Sequence, residues 1–225
     1  MSARTPLAMA LAGLLVLGLA NEAEAARGLD VRDLHKLDRV SSPVLSPDGA
    51  RVVFAKREIG EDLGKASTGL WIRDLRTRDL APPRRLTPEG WSVNSPAFSA
   101  DGQSVYFLSA KDGTQQLYSI PVTGGQPRQL TRYPLDIGSY KVSPDGKRIA
   151  VSMEVFPDCG ADLDCTVSRL DEREKSRTSG VLYEQLFVRH WDTWADGRHS
   201  RLFVTTPANG DKAPAPVLVG AAKND

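Results

Sequence analysis

Leu45-Ser46-Pro47-Asp48-Gly49-Ala50-Arg51-Val52-Val53-Phe54-Ala55 (residues 45–55) decides the fold, because its pattern returns twice further along the chain. Phe98-Ser99-Ala100-Asp101-Gly102 leads after two residues into Val105-Tyr106-Phe107-Leu108, and Val142-Ser143-Pro144-Asp145-Gly146 leads into Ile149-Ala150-Val151. Each tetrapeptide is suited to a tight turn. Pro presets φ at the first central position, the Asp side chain bonds back to nearby N–H groups, and Gly takes a positive φ. The apolar, β-branched and aromatic flanks then form the two arms of a hairpin. One such turn is weak evidence, whereas three in the same frame predict a structural repeat.

Working outward, Leu70-Trp71-Ile72-Arg73-Asp74-Leu75 aligns with Leu117-Tyr118-Ser119-Ile120-Pro121-Val122 as a third strand. Leu86-Thr87 and Leu130-Thr131 then mark a short fourth strand. Four antiparallel strands in roughly 40 to 50 residues is the arithmetic of a β-propeller blade. The expected fold is all-β, an incomplete β-propeller of about three four-stranded blades. Strand aromatics such as Trp71 are expected to pack between neighbouring blades. The third unit is stretched: its hairpin ends near Val155, and strand character resumes at Leu186-Phe187-Val188 and Leu202-Phe203-Val204. Between them, Asp171-Glu172-Arg173-Glu174-Lys175 mixes signs without an apolar stripe, as a solvated loop or short helix does.

Composition is that of a soluble globular chain: 225 residues, 40% hydrophobic and 25% charged, with a net charge of +1. So even a balance argues against a general polyanion binder. At the N-terminus, Arg4, the uncharged run Leu7 to Ala20 and the small-x-small sequence Ala23-Glu24-Ala25 read as a cleavable secretory signal. The apolar run is short for a membrane span, which takes roughly 20 residues. The expected organisation is therefore a signal peptide over 1–25 and a partial N-terminal propeller over 26–225, in the periplasm or secreted.

Export bears on the only two cysteines, Cys159 and Cys165. An oxidising compartment favours a structural disulfide across this short loop. The alternative is a cation held by Asp158, Asp162 and Asp164, but the spacing lacks the glycine and terminal glutamate of an EF-hand loop. His190 and His199, with Asp192 and Asp196 nearby, are read as a surface hairpin without metal; His35 stands apart. His190-Trp191-Asp192 resembles the signature of another propeller repeat, a coincidence because the other two units lack it. There is no Gly-x-Ser-x-Gly nucleophile elbow, no His-Glu-x-x-His, no phosphate loop and no zinc-type cysteine pairing. No catalytic residue, metal or cofactor is assigned.

The signal sequence, the Ser-Pro-Asp-Gly blades, Met153-Glu154-Val155-Phe156-Pro157-Asp158-Cys159 and Leu186-Phe187-Val188-Arg189-His190-Trp191-Asp192-Thr193-Trp194 together resemble one family. It is the N-terminal propeller of exported bacterial prolyl oligopeptidase family serine peptidases, in the dipeptidyl aminopeptidase and acylaminoacyl-peptidase branch. The blade motif is shared with TolB-type propellers; the aromatic string joined to the cysteine segment is more specific. The resemblance, over roughly residues 28 to 206, implies a C-terminal α/β-hydrolase domain whose Ser-Asp-His triad attacks peptide carbonyls. It also implies a propeller that covers the active site, admits short peptides and holds their N-termini.

Three blades are fewer than the roughly four to eight of closed rings. The chain is accordingly expected to be a fragment, without the hydrolase domain and inert as a peptidase by itself. Glu154, where a strand meets the cysteine segment, is the candidate substrate-binding residue: its carboxylate suits a peptide α-ammonium, or else pairs with a neighbouring Arg. The partners implied are short peptides and the protein's own hydrolase domain, with no nucleic acid and no membrane after signal cleavage. The alternative function is a non-enzymatic, TolB-like periplasmic propeller that binds a protein.

Overall fold

A computed structural model of the chain describes residues 28–59, 65–76, 81–176, 178, 180, 183, 189–208 and 213–220. The signal sequence and Leu186-Phe187-Val188 lie outside these residues. The chain divides into two compact units, Met1–Lys36 and Leu37–Asp225. The described part of the first is one short helix, α1 (Val31–Lys36), and the Asp33 carboxylate in its first turn accepts the Asp30 N–H at 2.9 Å.

Among the described residues, the second unit holds three four-stranded antiparallel sheets, with a two-stranded hairpin and one helix inserted in the third. Blade one orders β1 (Arg39–Leu45), β2 (Arg51–Ile59), β3 (Ala66–Asp74) and β4 (Arg84–Arg85) in sequence. Blade two repeats this with β5 (Val93–Phe98), β6 (Ser104–Ser109), β7 (Gln116–Pro121) and β8 (Arg128–Gln129). Blade three begins with β9 (Ile137–Val142) and β10 (Ile149–Val155). After β10 come a helix, α2 (Leu163–Lys175), and a hairpin of β11 (Arg189–His190) and β12 (Thr193–Trp194). The sheet then resumes with β13 (His199–Thr205) and β14 (Val217–Leu218), giving the order β14-β13-β10-β9.

The three repeated turns share one hydrogen-bond set. In the first, Ser46 Oγ donates to Asp48 Oδ1 (2.6 Å), the same oxygen accepts the Ala50 N–H (3.1 Å), and Ser46 Oγ accepts the Arg51 N–H (2.9 Å). Ser99 with Asp101 and Ser143 with Asp145 repeat these bonds within 0.1 Å for the serine–aspartate pair and both amides (2.5, 3.0 and 2.9 Å in each). Gly49, Gly102 and Gly146 all sit at φ 68°, where a Cβ would be strained. The Leu-Thr pairs close the blades. Leu86 N–H bonds to Leu70 C=O while the buried Thr87 hydroxyl accepts the Leu70 N–H (3.0 Å), and Leu130 and Thr131 do the same to Leu117 (2.9 Å).

The repeat also extends upstream of each turn. β1, β5 and β9 all carry a bulge, with Ser42 and Ser95 at φ near 51° and each followed by proline; in β9 the extra residue is Gly138. A bulge and a proline weaken the pairing capacity of a strand at the sheet edge.

Strand alternation decides what lies between blades. Val53, Ala55, Leu70 and Ile72 of blade one meet Val105, Phe107, Tyr118 and Ile120 of blade two; Phe107 and Tyr118 stack at 5.8 Å. The other face of blade two, with Leu108 and Leu117, meets Ile149, Val151, Met153 and Phe203 of blade three. Trp71 departs from the expectation. It pairs with Phe54 on the face turned away from blade two, and Lys56 lies 4.4 Å over its ring. The equivalent face of blade two carries Tyr118 and packs on blade one. Trp71 thus occupies an interblade position, but no described sheet faces it.

The charged run is the end of a 13-residue helix that starts inside the cysteine segment. The Asp162 side chain caps it by accepting the Cys165 N–H (3.0 Å), Asp164 lies in the first turn, and Arg173 and Lys175 in the last, matching the helix dipole at both ends. Its apolar stripe, Leu163, Val167 and Leu170, precedes the charged run, and these residues pack against the core of blade three.

Candidate functional site

The Ser-x-Asp-Gly turns all lie at one end of the blades. The opposite end of blade three is where β10 leaves for the inserted helix and β13 returns. A cleft of about 370 Å³ opens there, lined among others by Thr114, Gln115, Asp136, Glu154, Leu170 and Arg198. Beside it, a side-chain clamp ties β7 to the segment that leads into blade three. The buried Gln116 amide donates to Tyr133 C=O and Leu135 C=O (both 3.0 Å) and accepts the Tyr133 N–H (2.9 Å). The next turn is held by Asp136, whose exposed carboxylate accepts the Gln115 N–H (2.6 Å), and by Gln115 Nε2, which donates to Ile137 C=O (2.8 Å).

Glu154 reaches the cleft by strand parity. Met153 and Val155 on either side are buried, so Glu154 projects from the other face, opposite Ser200 on β13. Its side chain is 63% exposed, and Arg198 Nη2 stands 3.6 Å from its Oε2. The pairing with a neighbouring Arg is therefore present, but beyond hydrogen-bonding distance. Arg198 is bound more closely by Asp196: its Nε donates to Oδ2 at 2.6 Å and its backbone N–H to Oδ1 at 3.0 Å. Partial burial would raise the Asp196 carboxyl, but the Arg198 backbone N–H and guanidinium outweigh it and hold the group below the ordinary carboxylate range.

Asp196 is itself braced from α2. Arg173 donates to the Asp196 C=O, and the Arg173 and Arg169 guanidiniums lie 4.9 and 5.2 Å from the buried Phe156 ring. Gly197, at φ 85°, passes the edge of the same ring. The Cys159 and Cys165 sulfurs are 2.00 Å apart, which ties the first turn of α2 to the turn that follows β10.

The three aspartates of the cysteine segment serve separate purposes. Asp158 pairs with Arg169, whose hydrogen bond holds its carboxyl below the ordinary range, Asp162 caps α2, and Asp164 lies in its first turn. His199 begins β13 opposite Val155, and His190 pairs in register with Thr193. Among the described residues, no group of three or more His, Cys, Asp or Glu is placed to hold a metal ion. The cleft thus brings together two solvent-facing carboxylates, those of Asp136 and Glu154, beside a guanidinium already matched to a third.

Of the predicted site residues, then, only Glu154 lines this cleft. Asp136, Leu170 and Arg198 escaped sequence reasoning because they come from three distant segments and belong to no local motif. The Asp196-Gly197-Arg198 turn was the one available clue.

A family model for the TolB beta propeller domain (PD40) matches residues 33–166. The chain is 26% identical over 167 residues to an uncharacterized peptidase, YuxL, of Bacillus subtilis, covering 74% of this chain and 23% of that protein. It is 28% identical over 159 residues to dipeptidyl-peptidase 5 of Porphyromonas endodontalis, covering 70% and 21%. It thus spans less than a quarter of the length of either relative. Pyrococcus horikoshii acylaminoacyl peptidase superposes with a TM-score of 0.57 at 12% identity, over 83% of this chain and 26% of that one, a likeness of fold.

Proposed function

The chain belongs to the TolB β-propeller domain family, and from that premise we propose that it is the propeller portion of a secreted or periplasmic serine peptidase acting on short peptides. In this reading a C-terminal α/β-hydrolase domain of the same protein carries the nucleophile, and the propeller limits access to it, as in dipeptidyl- or acylaminoacyl-peptidases. The observation that carries the reading is that two relatives sharing these blades are named as peptidases and are more than four times as long as the matched region.

Glu154 is the group that engages substrate. An exposed carboxylate at the rim of a cleft forms a charge-assisted hydrogen bond with a peptide's α-ammonium. The test is Glu154→Gln in a polypeptide carrying both propeller and hydrolase domain. KM for dipeptide-releasing substrates rises about tenfold, the effect of losing a charged hydrogen bond, with kcat little changed. Unchanged KM and kcat remove Glu154 from this role.

A second reading, a non-enzymatic TolB-like propeller binding a protein partner in the periplasm, draws on the description of the matching family model. Absence of peptide turnover from the natural polypeptide, together with a reading frame lacking Gly-x-Ser-x-Gly, would favour it.

A further inference from the structure

Arg198 stands between two carboxylates and is held unequally by them. Asp196 makes contacts of 2.6 and 3.0 Å with it, and Glu154 one of 3.6 Å. The Asp196 side chain is 35% exposed against 63% for Glu154, so the closer pair is also the less screened. Asp196 is not free to follow its partner. Gly197 at φ 85° bends the backbone so that the Arg198 N–H reaches the Asp196 carboxylate, and Arg173 on the disulfide-tied helix α2 holds the Asp196 carbonyl. Glu154, one residue before the end of β10, has its side chain in the cleft and, among the described residues, only the long contact to Arg198 as a charged partner.

We infer that Asp196 is a positioning residue of the cleft: it keeps Arg198 as its own counter-ion and so leaves the Glu154 carboxylate open to an incoming ammonium group. The inference rests on the proposal that the cleft takes a peptide α-ammonium. Without Asp196 the guanidinium has one carboxylate left within reach, closes the remaining gap to Glu154 and occupies the site intended for the ligand. Arg198 is then a competitor of the ligand, not a contact to it. A carboxylate that does not touch the peptide thus sets its affinity, and deleting the arginine helps binding.

Calorimetric titration of the 225-residue chain with glycyl-phenylalanine amide and its N-acetyl derivative tests this. Asp196→Asn is expected to weaken binding of the free amine about tenfold, whereas Arg198→Gln tightens it. The double variant should return to the level of Arg198→Gln, a rescue that a merely structural role of Asp196 would not give. An unchanged affinity in Asp196→Asn overturns the inference. So does a double variant as weak as Asp196→Asn, or an Arg198→Gln as damaging as Glu154→Gln, which would make Arg198 a ligand contact. Should Asp196→Asn lose its cooperative urea transition, the sign of the Arg198→Gln effect decides alone. If the wild type does not distinguish the two amides and Glu154→Gln changes nothing, the ammonium reading fails and this inference fails with it. Failure of the Asp196 and Arg198 variants alone leaves that reading standing.

Discussion

Thr131→Val isolates what closes a blade. Thr131 is fully buried, and its hydroxyl accepts the N–H of the equally buried Leu117 at 2.9 Å. Valine has nearly the same shape, so no cavity forms, but the Leu117 amide loses its acceptor where water does not reach it. Leaving such a donor unsatisfied costs about 1–3 kcal/mol, and no longer burying the hydroxyl returns part of that. A net loss of about 1–2 kcal/mol, or roughly a 5- to 30-fold fall in the folding equilibrium constant, is expected. Thr131→Ser is the control. It keeps the oxygen and loses one methyl, costing about 1 kcal/mol in transfer and packing. Urea melts alone do not separate the two, but native-state hydrogen exchange does: the Leu117 amide loses protection beyond the global change in Thr131→Val and retains it in Thr131→Ser. A valine variant as stable as wild type, with the Leu117 amide still protected, refutes the idea that this hydroxyl latches the fourth strand.

Two further outcomes concern pH and the cysteines. Asp48, Asp101 and Asp145 are held below the ordinary carboxylate range, chiefly by the hydroxyls of Ser46, Ser99 and Ser143 and then by backbone N–H groups. A depressed folded-state pKa stabilises above the unfolded value, near 3.9, and the contribution is lost as pH falls through the folded value. Urea midpoints should therefore fall on acidification below about pH 4, and more gently when all three residues are Asn; an identical acid limb in that variant counts against the turns as its source. Replacing both Cys159 and Cys165 with Ser, which opens a loop of sequence separation 6, should cost about 2 kcal/mol by the chain-entropy model and raise exchange in the first turn of α2. Free thiols in an alkylation map of the unreduced protein would overturn the premise.

The legible parts of this molecule are those in which neighbours in sequence do the work. Each Ser-x-Asp-Gly turn closes within five residues, from the Ser46 hydroxyl to the Arg51 amide, so its chemistry is visible in a window of that length. The Leu-Thr pairs were visible as repeats, although not as hydroxyl latches. The fourth strand of blade three was hidden for the converse reason. Val219 makes the expected backbone bond to Leu202, but Gly220 follows where Thr87 and Thr131 stand in the other blades. The helix was obscured because its apolar stripe lies in residues 163–170 and its charges in residues 171–175.

The sequence by itself determined the repeat: three hairpins in the same frame and their turn residues, set by dihedral preference and short-range hydrogen bonding. Only the tertiary structure decided which face of a blade meets which neighbour, so that Phe107 lies in a core while Trp71, on the corresponding face of blade one, rests under Lys56. It also decided the cleft, where Asp136, Glu154, Leu170 and Arg198 meet from four separate segments. Local preferences act over a few residues; which distant segments become neighbours depends on how whole sheets pack, and that is the property a linear reading resolves least.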